Sequence, residues 1–211
     1  EKPMFRLAHP LCEKYGISPE NNIVMTGVSR AAGPAILKDA HETDPSRRYK
    51  MVYLDGNGIC VAFSPDGIRW TPYEGNPVIR GHSDTQHGVV WDEKRGKYVM
   101  SLRPPIYAGP WKRRIAISES GDFVNWSEPT TVLIPDELDP PEFYGMPIFL
   151  YEGIYFGLLQ VFHKHELIDI QLTFSRDGYN WNRVFTQSPF IHSPLSCRSP
   201  FMPLGQFDYL P

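Results

Sequence analysis

Cysteine is scarce in this chain: Cys12, Cys60 and Cys197 are three among 211 residues, odd in number and far apart. They supply neither a disulfide framework nor the close-set pairs of a zinc site, and read as unpaired structural cysteines. Basic excess is also missing. Lys and Arg number 21 against 24 Asp and Glu, a net charge of −3, whereas a nucleic-acid surface needs the opposite balance. No apolar run approaches the roughly 20 residues that cross a bilayer. The most apolar stretch, Met146 to Phe162, is broken by Pro147, Glu152 and two glycines. Helical periodicity is not sustained anywhere; residues 10–16 and 135–139 offer a turn at most. The start carries no secretory leader, and because it opens on Glu1 rather than Met the chain is expected to be a partial one.

What is present points to a folded β protein. Hydrophobic residues make up 41% of the chain and aromatics 13%, enough to build a core. Pro and Gly, 21 and 17 residues, are spread along the chain, as turns between many short strands would require.

A repeat organises these turns. Val61-Ala-Phe-Ser-Pro-Asp-Gly-Ile-Arg-Trp70, Ala116-Ile-Ser-Glu-Ser-Gly-Asp-Phe-Val-Asn-Trp126 and Leu172-Thr-Phe-Ser-Arg-Asp-Gly-Tyr-Asn-Trp181 share one pattern: an apolar strand, Ser, an acidic turn and Trp. The tryptophans stand 56 (70 to 126) and 55 (126 to 181) residues apart, and Ser64, Ser118 and Ser175 are aligned with them. Asp-Gly suits a tight turn, and the Ser and Asp side chains can bond turn backbone groups, so Asp66, Asp122 and Asp177 of this Asp-box repeat read as structural. Strand-like runs precede each box at 48–53, 96–102 and 153–159, and again at 35–37, 88–91 and 146–150. Four antiparallel strands per unit of roughly 55 residues is the pattern of a β-propeller. The expected architecture is all-β: one propeller domain over 1–211, with units at about 21–80, 81–135 and 136–192 and a partial unit at 193–211. Unsealed end blades would leave strand edges bare, so a five-bladed ring of which the chain covers about four is expected, a four-bladed ring being the alternative.

Propeller blades point their innermost strands at one axis, so residues just ahead of those strands converge. Here they are Gly81-His-Ser-Asp-Thr-Gln-His87 and Asp139-Pro-Pro-Glu-Phe-Tyr-Gly145. Asp84 and Glu142 occupy near-equivalent places, and two converging carboxylates suit glycoside hydrolysis. A turn-capping Asp84 and a solvated Glu142 on the rim are the plainer alternatives.

Ser83-Asp84-Thr-Gln86, ahead of Val89-Val-Trp-Asp92 and Lys97-Tyr-Val-Met100, resembles the second-blade motif of five-bladed glycoside hydrolases of families 32 and 43. Pro141-Glu142-Phe-Tyr-Gly-Met-Pro147 is similar to their Glu-bearing motif one blade on. Residues 21–24, 44–51 and 113–120 resemble uncharacterised family-32-like proteins. The resemblance implies Asp84 as transition-state stabiliser and Glu142 as general acid. It also implies a carbohydrate substrate, no nucleic-acid or membrane partner and a secreted or periplasmic location. No cofactor is expected, and a structural calcium in the funnel is compatible with it; oligomeric state is not legible. His82, Gln86, His87, Arg103, Tyr144, His163 and Arg198 are the candidate substrate-binding residues. Tyr107, Trp111 and Phe143 could stack on sugar rings or pack between blades. His163 and His165 would share a strand face as a metal pair, but no third ligand accompanies them. One departure matters: family members carry a first-blade Asp, and here Asn21 and Asn22 stand near that place. A non-catalytic sugar-binding or scaffold propeller is therefore the competing reading. A sialidase would need three arginines around a carboxylate, and of Arg113 and Arg114 at most one can face the funnel. A Kelch or WD propeller lacks its glycine pairs and Gly-His…Trp-Asp pattern here.

Overall fold

The computed structural model describes residues 23–29, 31–104, 113–163, 167–185 and 188–191. Their strands fall into three antiparallel sheets. The first runs β1 (Ala32–Lys38), β2 (Tyr49–Asp55), β3 (Gly58–Ser64), β4 (Thr71–Pro72), with β5 (Ile79–Arg80) pairing with the start of β3. The second runs β6 (Gly88–Asp92), β7 (Lys97–Leu102), β8 (Ile115–Ser120), β9 (Thr130–Leu133). In the third, β10 (Glu142–Gly145) and β11 (Ile148–Tyr151) share the innermost place beside β12 (Ile154–Phe162), followed by β13 (Ile168–Ser175) and β14 (Trp181–Arg183). The gap between β10 and β11 holds Pro147, which has no N–H for the ladder. These sheets are blades of a propeller, and they do not close into a ring among the described residues. Cys12, Asn21, Asn22, Tyr107, Trp111, His165, Cys197, Arg198 and the partial unit at 193–211 lie outside the described residues.

The blades are held by apolar layers. Val52, Leu54, Ile59 and Val61 of the first blade meet Val89, Tyr98, Met100, Leu102 and Phe123 of the second. Val90, Val99, Ile115 and Ile117 meet Phe143, Ile148, Tyr155, Leu159 and Val161 of the third. Each such side chain, taken fully out of water, contributes about 1.5–3 kcal/mol before entropy is set against it. The outward face of the first blade, with Met51, Tyr53 and Trp70, is covered by Val24, Met25 and Val28.

The repeated turn has one hydrogen-bond pattern three times over. Ser64, Ser120 and Ser175 Oγ donate to Asp66, Asp122 and Asp177 at 3.0–3.1 Å. Each carboxylate accepts two backbone N–H groups, as Asp177 does from Tyr179 and Asn180 at 2.8 and 2.7 Å. Each Trp indole N–H donates back to residue 67, 123 or 178. The serine of the second box is therefore Ser120, not Ser118 as the spacing suggested; Ser118 instead donates from the middle of β8 to Ser127 O at 2.7 Å. Gly67 and Gly178 take φ of +78° and +80°, and Phe123 stands in their place at +71°.

A second device recurs at the same end of the blades. The Tyr98 hydroxyl donates to Asp39, just past β1, and the Tyr155 hydroxyl donates to Asp92, at the end of β6. Beside the first latch, Lys50 is fully buried between Asp39 (3.1 Å) and Glu42 (2.7 Å). Boxes and latches thus close one end of the blades. The entrances to β6 and β10 lie at the other.

Candidate active site

The loop entering β6 alternates strictly. Ser83, Thr85 and His87 are buried, while His82, Asp84 and Gln86 reach outward. The buried set ties the loop to both neighbouring blades. His87 Nδ1 lies 2.6 Å from Gly33 O and its Nε2 3.2 Å from Ser83 Oγ. Because a carbonyl only accepts, Nδ1 carries the proton and Nε2 accepts from Ser83. Thr85 Oγ1 donates to Tyr144 O at 2.8 Å. Gln86 Nε2 donates to Pro34 O at 2.9 Å. The backbone can lie this close because residue 33 is glycine: a Cβ there would collide with Thr85 O, and φ is +56°.

Two expected ligand contacts are corrected by this geometry. His87 is 1% exposed with both ring nitrogens engaged, so it braces the loop and does not meet a ligand. Burial, only partly offset by the Gly33 contact, pulls its pKa down to about 4 and keeps it neutral at physiological pH. Arg103, expected to grip substrate, is 3% exposed and holds protein groups instead. Its Nη1 donates to Asp84, and its Nε donates to Tyr144 O at 2.9 Å.

Asp84 and Glu142 lie at the same end of the blades, in one connected cluster. Asp84 is 34% exposed in its side chain and pairs with Arg103 and, at 3.3 Å, with His82. Burial would raise its carboxyl pKa, but Arg103, His82 and Arg113 override that and set it below the usual carboxylate value. Glu142 begins β10 and accepts from Arg113 Nη1 at 2.6 Å. Tyr144 lies between the two halves. The Arg103 and Arg113 guanidinium carbons stand 4.6 and 5.2 Å from its ring centroid, and Phe162 stacks on it at 5.8 Å with 21° between planes. The cluster reads Asp84, Arg103, Tyr144, Arg113, Glu142, crossing from the second blade to the third.

Arg113 and Phe162 are members that motif reading did not assign to this cluster. Arg113 precedes β8 where Arg103 follows β7, so the antiparallel pairing of Leu102 with Ala116 brings both to one end. That pairing was the available signal. Gln160, buried beside Gly145, was also missed; its Oε1 has no hydrogen-bond partner among the described residues. His82 stays half exposed beside Asp84, and Gln86 uses its amide on Pro34. His163, expected at the funnel, follows the second strand of its blade rather than the innermost one, and its Nε2 sits 3.0 Å from Asp169. Phe143 is fully buried in the layer between blades, so it packs and cannot stack on a sugar. The described start of the first inner strand, Ala31-Ala-Gly-Pro34, brings no acid to this end. Among the described residues no group of three or more His, Cys, Asp or Glu is placed to hold a metal ion.

Neither a family model nor a curated protein sequence matches this chain. Solved structures do. An α-L-arabinofuranosidase from Podospora anserina, in complex with cellotriose, superposes with a TM-score of 0.58 at 19% identity, covering 79% of this chain and 54% of that one. An α-L-arabinofuranosidase from Clostridium thermocellum gives 0.54 at 18%, covering 77% and 54%. A glycoside hydrolase gives 0.54 at 20%, covering 67% and 45%. The chain thus spans about half the length of these proteins. Its blades have the fold of the propeller glycoside hydrolases.

Proposed function

We propose that the protein is a glycoside hydrolase that cleaves an oligo- or polysaccharide with Asp84 and Glu142. The observation that carries this reading is the continuous cluster joining the two carboxylates across the funnel end of adjacent blades. Asp84, kept anionic by Arg103 and His82, is suited to face the positive charge that develops on a sugar ring as the glycosidic bond breaks. Glu142 would give its proton to the leaving oxygen. Arg113 occupies the Glu142 oxygen that a leaving group would need, so substrate has to displace it. Arg113 is 33% exposed and can turn away. Tyr144 and Phe162 offer stacked rings beside the site, and stacking on the apolar face of a sugar needs such a surface.

The test is hydrolysis of arabino- and cello-oligosaccharides by the full chain. Glu142→Gln should lower turnover at least a thousandfold while binding survives, and Asp84→Asn should lower turnover with little change in affinity. Unchanged turnover in Glu142→Gln removes it as the acid. A second reading, a sugar-binding propeller without catalysis, is favoured by one observation: both carboxylates are ion-paired and the described start of the first inner strand adds no third acid. Saccharide binding with no hydrolysis by the unaltered protein would establish that reading instead.

A further inference from the structure

A second concave site lies on the third blade, outside the funnel. It is a cavity of about 370 Å³ walled by Leu138, Pro140 and Pro189, with His163, Asp169 and Gln171 as its polar lining. Its place follows from strand register. Glu142 pairs with Phe162 on β12, and Val161 pairs with Asp169 on β13. The cavity therefore opens two strands outward from Glu142 at the same end of the sheet, roughly 10 Å away by the strand spacing.

The polar lining is prepared in advance. Asp169 and Gln171 are i and i+2 on β13, so they share a face, and they are 8% and 3% exposed. Arg183 donates to both carboxylate oxygens of Asp139 at 2.8 and 2.6 Å, which clamps the loop under the cavity. Its Nε donates to Gln171 Oε1 at 2.8 Å. That contact takes the acceptor end of the amide, so the NH₂ group is the end left for a ligand. His163 Nε2 lies 3.0 Å from Asp169 Oδ2 without the alignment of a hydrogen bond, so the imidazole borders the carboxylate rather than tying it down. The result is one strong acceptor beside one oriented donor within apolar walls.

This chemistry selects among ligand classes. Asp169 repels an anion. A cation finds too few ligands, because Asp139 is neutralised by Arg183 and the described residues hold no metal-binding trio. A neutral ligand with neighbouring hydroxyls fits, one hydroxyl donating to Asp169 and another accepting from Gln171. We infer that this cavity is a subsite for a second, uncharged sugar residue of the oligosaccharide whose cleaved bond lies at Glu142. The identity of the ligand rests on the glycosidase reading; the chemistry of the cavity does not.

The test pairs two variants with two probes. Gln171→Glu keeps the oxygen that Arg183 needs but replaces the donor with a second acceptor. Asp169→Asn removes the strong acceptor. Both are checked for an unchanged circular dichroism spectrum. Arabinotriose and cellotriose are titrated into the full chain while the His163 ring resonances are followed by NMR, and hydrolysis is measured with the same trisaccharides and with 4-nitrophenyl α-L-arabinofuranoside. Expected are a His163 shift with at least one trisaccharide, a tenfold or greater loss of affinity for it in both variants, and turnover of the nitrophenyl glycoside unchanged. The His163 shift should persist in Glu142→Gln, which separates this site from the funnel: a catalytically inert protein that still shows it loses the glycosidase reading and keeps the subsite. Trisaccharide binding that ignores both variants, or that vanishes only with Glu142 and Asp84 substitutions, overturns the inference. So does the absence of a His163 shift with both sugars.

Discussion

Phe123 stands where the other two boxes use glycine, and this allows a prediction whose sign is unusual. Its φ of +71° lies in the left-handed region, which costs a residue with a Cβ about 1–2 kcal/mol. The residue is retained because its buried ring knits the first two blades together. It meets Tyr98 edge-on at 5.0 Å between centroids, Trp126 at 5.5 Å and Phe63 at 6.0 Å. Phe123→Ala removes the ring and keeps the strain, so it should cost about 3–5 kcal/mol. Phe123→Gly removes the ring and the strain together, while adding about 0.5–1 kcal/mol of unfolded-chain entropy. The glycine variant should therefore be more stable than the alanine variant by about 0.5–1 kcal/mol. At an ordinary strand position the order is the reverse. Urea unfolding followed by tryptophan fluorescence reads the difference from the midpoints, provided the slopes agree. A glycine variant equal to or weaker than the alanine variant would refute the claim that strain at this turn is tolerated for the sake of packing.

Other consequences concern the latches, the turns and the loop brace. Lys50→Met should destabilise the protein by about 3–5 kcal/mol in the same assay, because Asp39 and Glu42 lose the cation between them. Tyr155→Phe should cost about 1.5–3 kcal/mol, since it deletes a hydrogen bond to the Asp92 carboxylate. In acid, the box carboxylates should dominate. Backbone N–H groups hold Asp66 and Asp177 far below the ordinary value, and at Asp122 they outweigh burial to give about 2. A depressed folded pKa means stability that is present above the unfolded value of 3.8 and lost as pH falls toward 2. Thermal melts across that range should show the loss, and Asp122→Asn should flatten part of it. His87 acts in a higher window. Its pKa falls on folding from 6.5 to about 4, so the unfolded chain binds the extra proton between those values and stability declines as pH drops through them. His87→Gln should remove that decline; a pH profile that matches the unaltered protein would show that the imidazole is not the group responsible.

The sequence showed the blades plainly because their turn chemistry is periodic. Trp70, Trp126 and Trp181 each sit six residues after the serine of their own box. That count identifies Ser120, whereas alignment on the apolar strand favoured Ser118. The two serines are i and i+2 on β8 and share a face, so strand pattern alone could not separate them. That Asp84 and Glu142 stand at the same end of the blades was also legible, since equivalent places in successive blades must look the same way. The partners of those acids were not. Arg103 reaches Asp84 and Arg113 reaches Glu142 only through the way loops close over strand ends, and no local pattern encodes that. His87 was misjudged for a readable reason. Residues 82–87 alternate between outward and buried, and His87 falls on the same side as Ser83 and Thr85.

The division between periodic and aperiodic signal has a spatial meaning. Every feature that repeats at the blade interval, the Ser-Asp-Trp turns and the Tyr98 and Tyr155 latches, lies at one end of the sheets. The Asp84, Arg103, Tyr144, Arg113 and Glu142 cluster and the Asp169 cavity lie at the other, and none of their contacts recurs from blade to blade. One end must satisfy the same demand in each blade, which is to fix a hairpin and bind it to its neighbour, so the same residues solve it each time. On the proposed reading the other end surrounds a single asymmetric saccharide, so each blade contributes a different group. Substitutions at the repeating end should therefore move stability and leave specificity alone, while those at the aperiodic end should do the opposite. Thr85 and His87 are the exceptions by geometry, because they lie beneath the loop that carries Asp84 and tie it to the blades on either side.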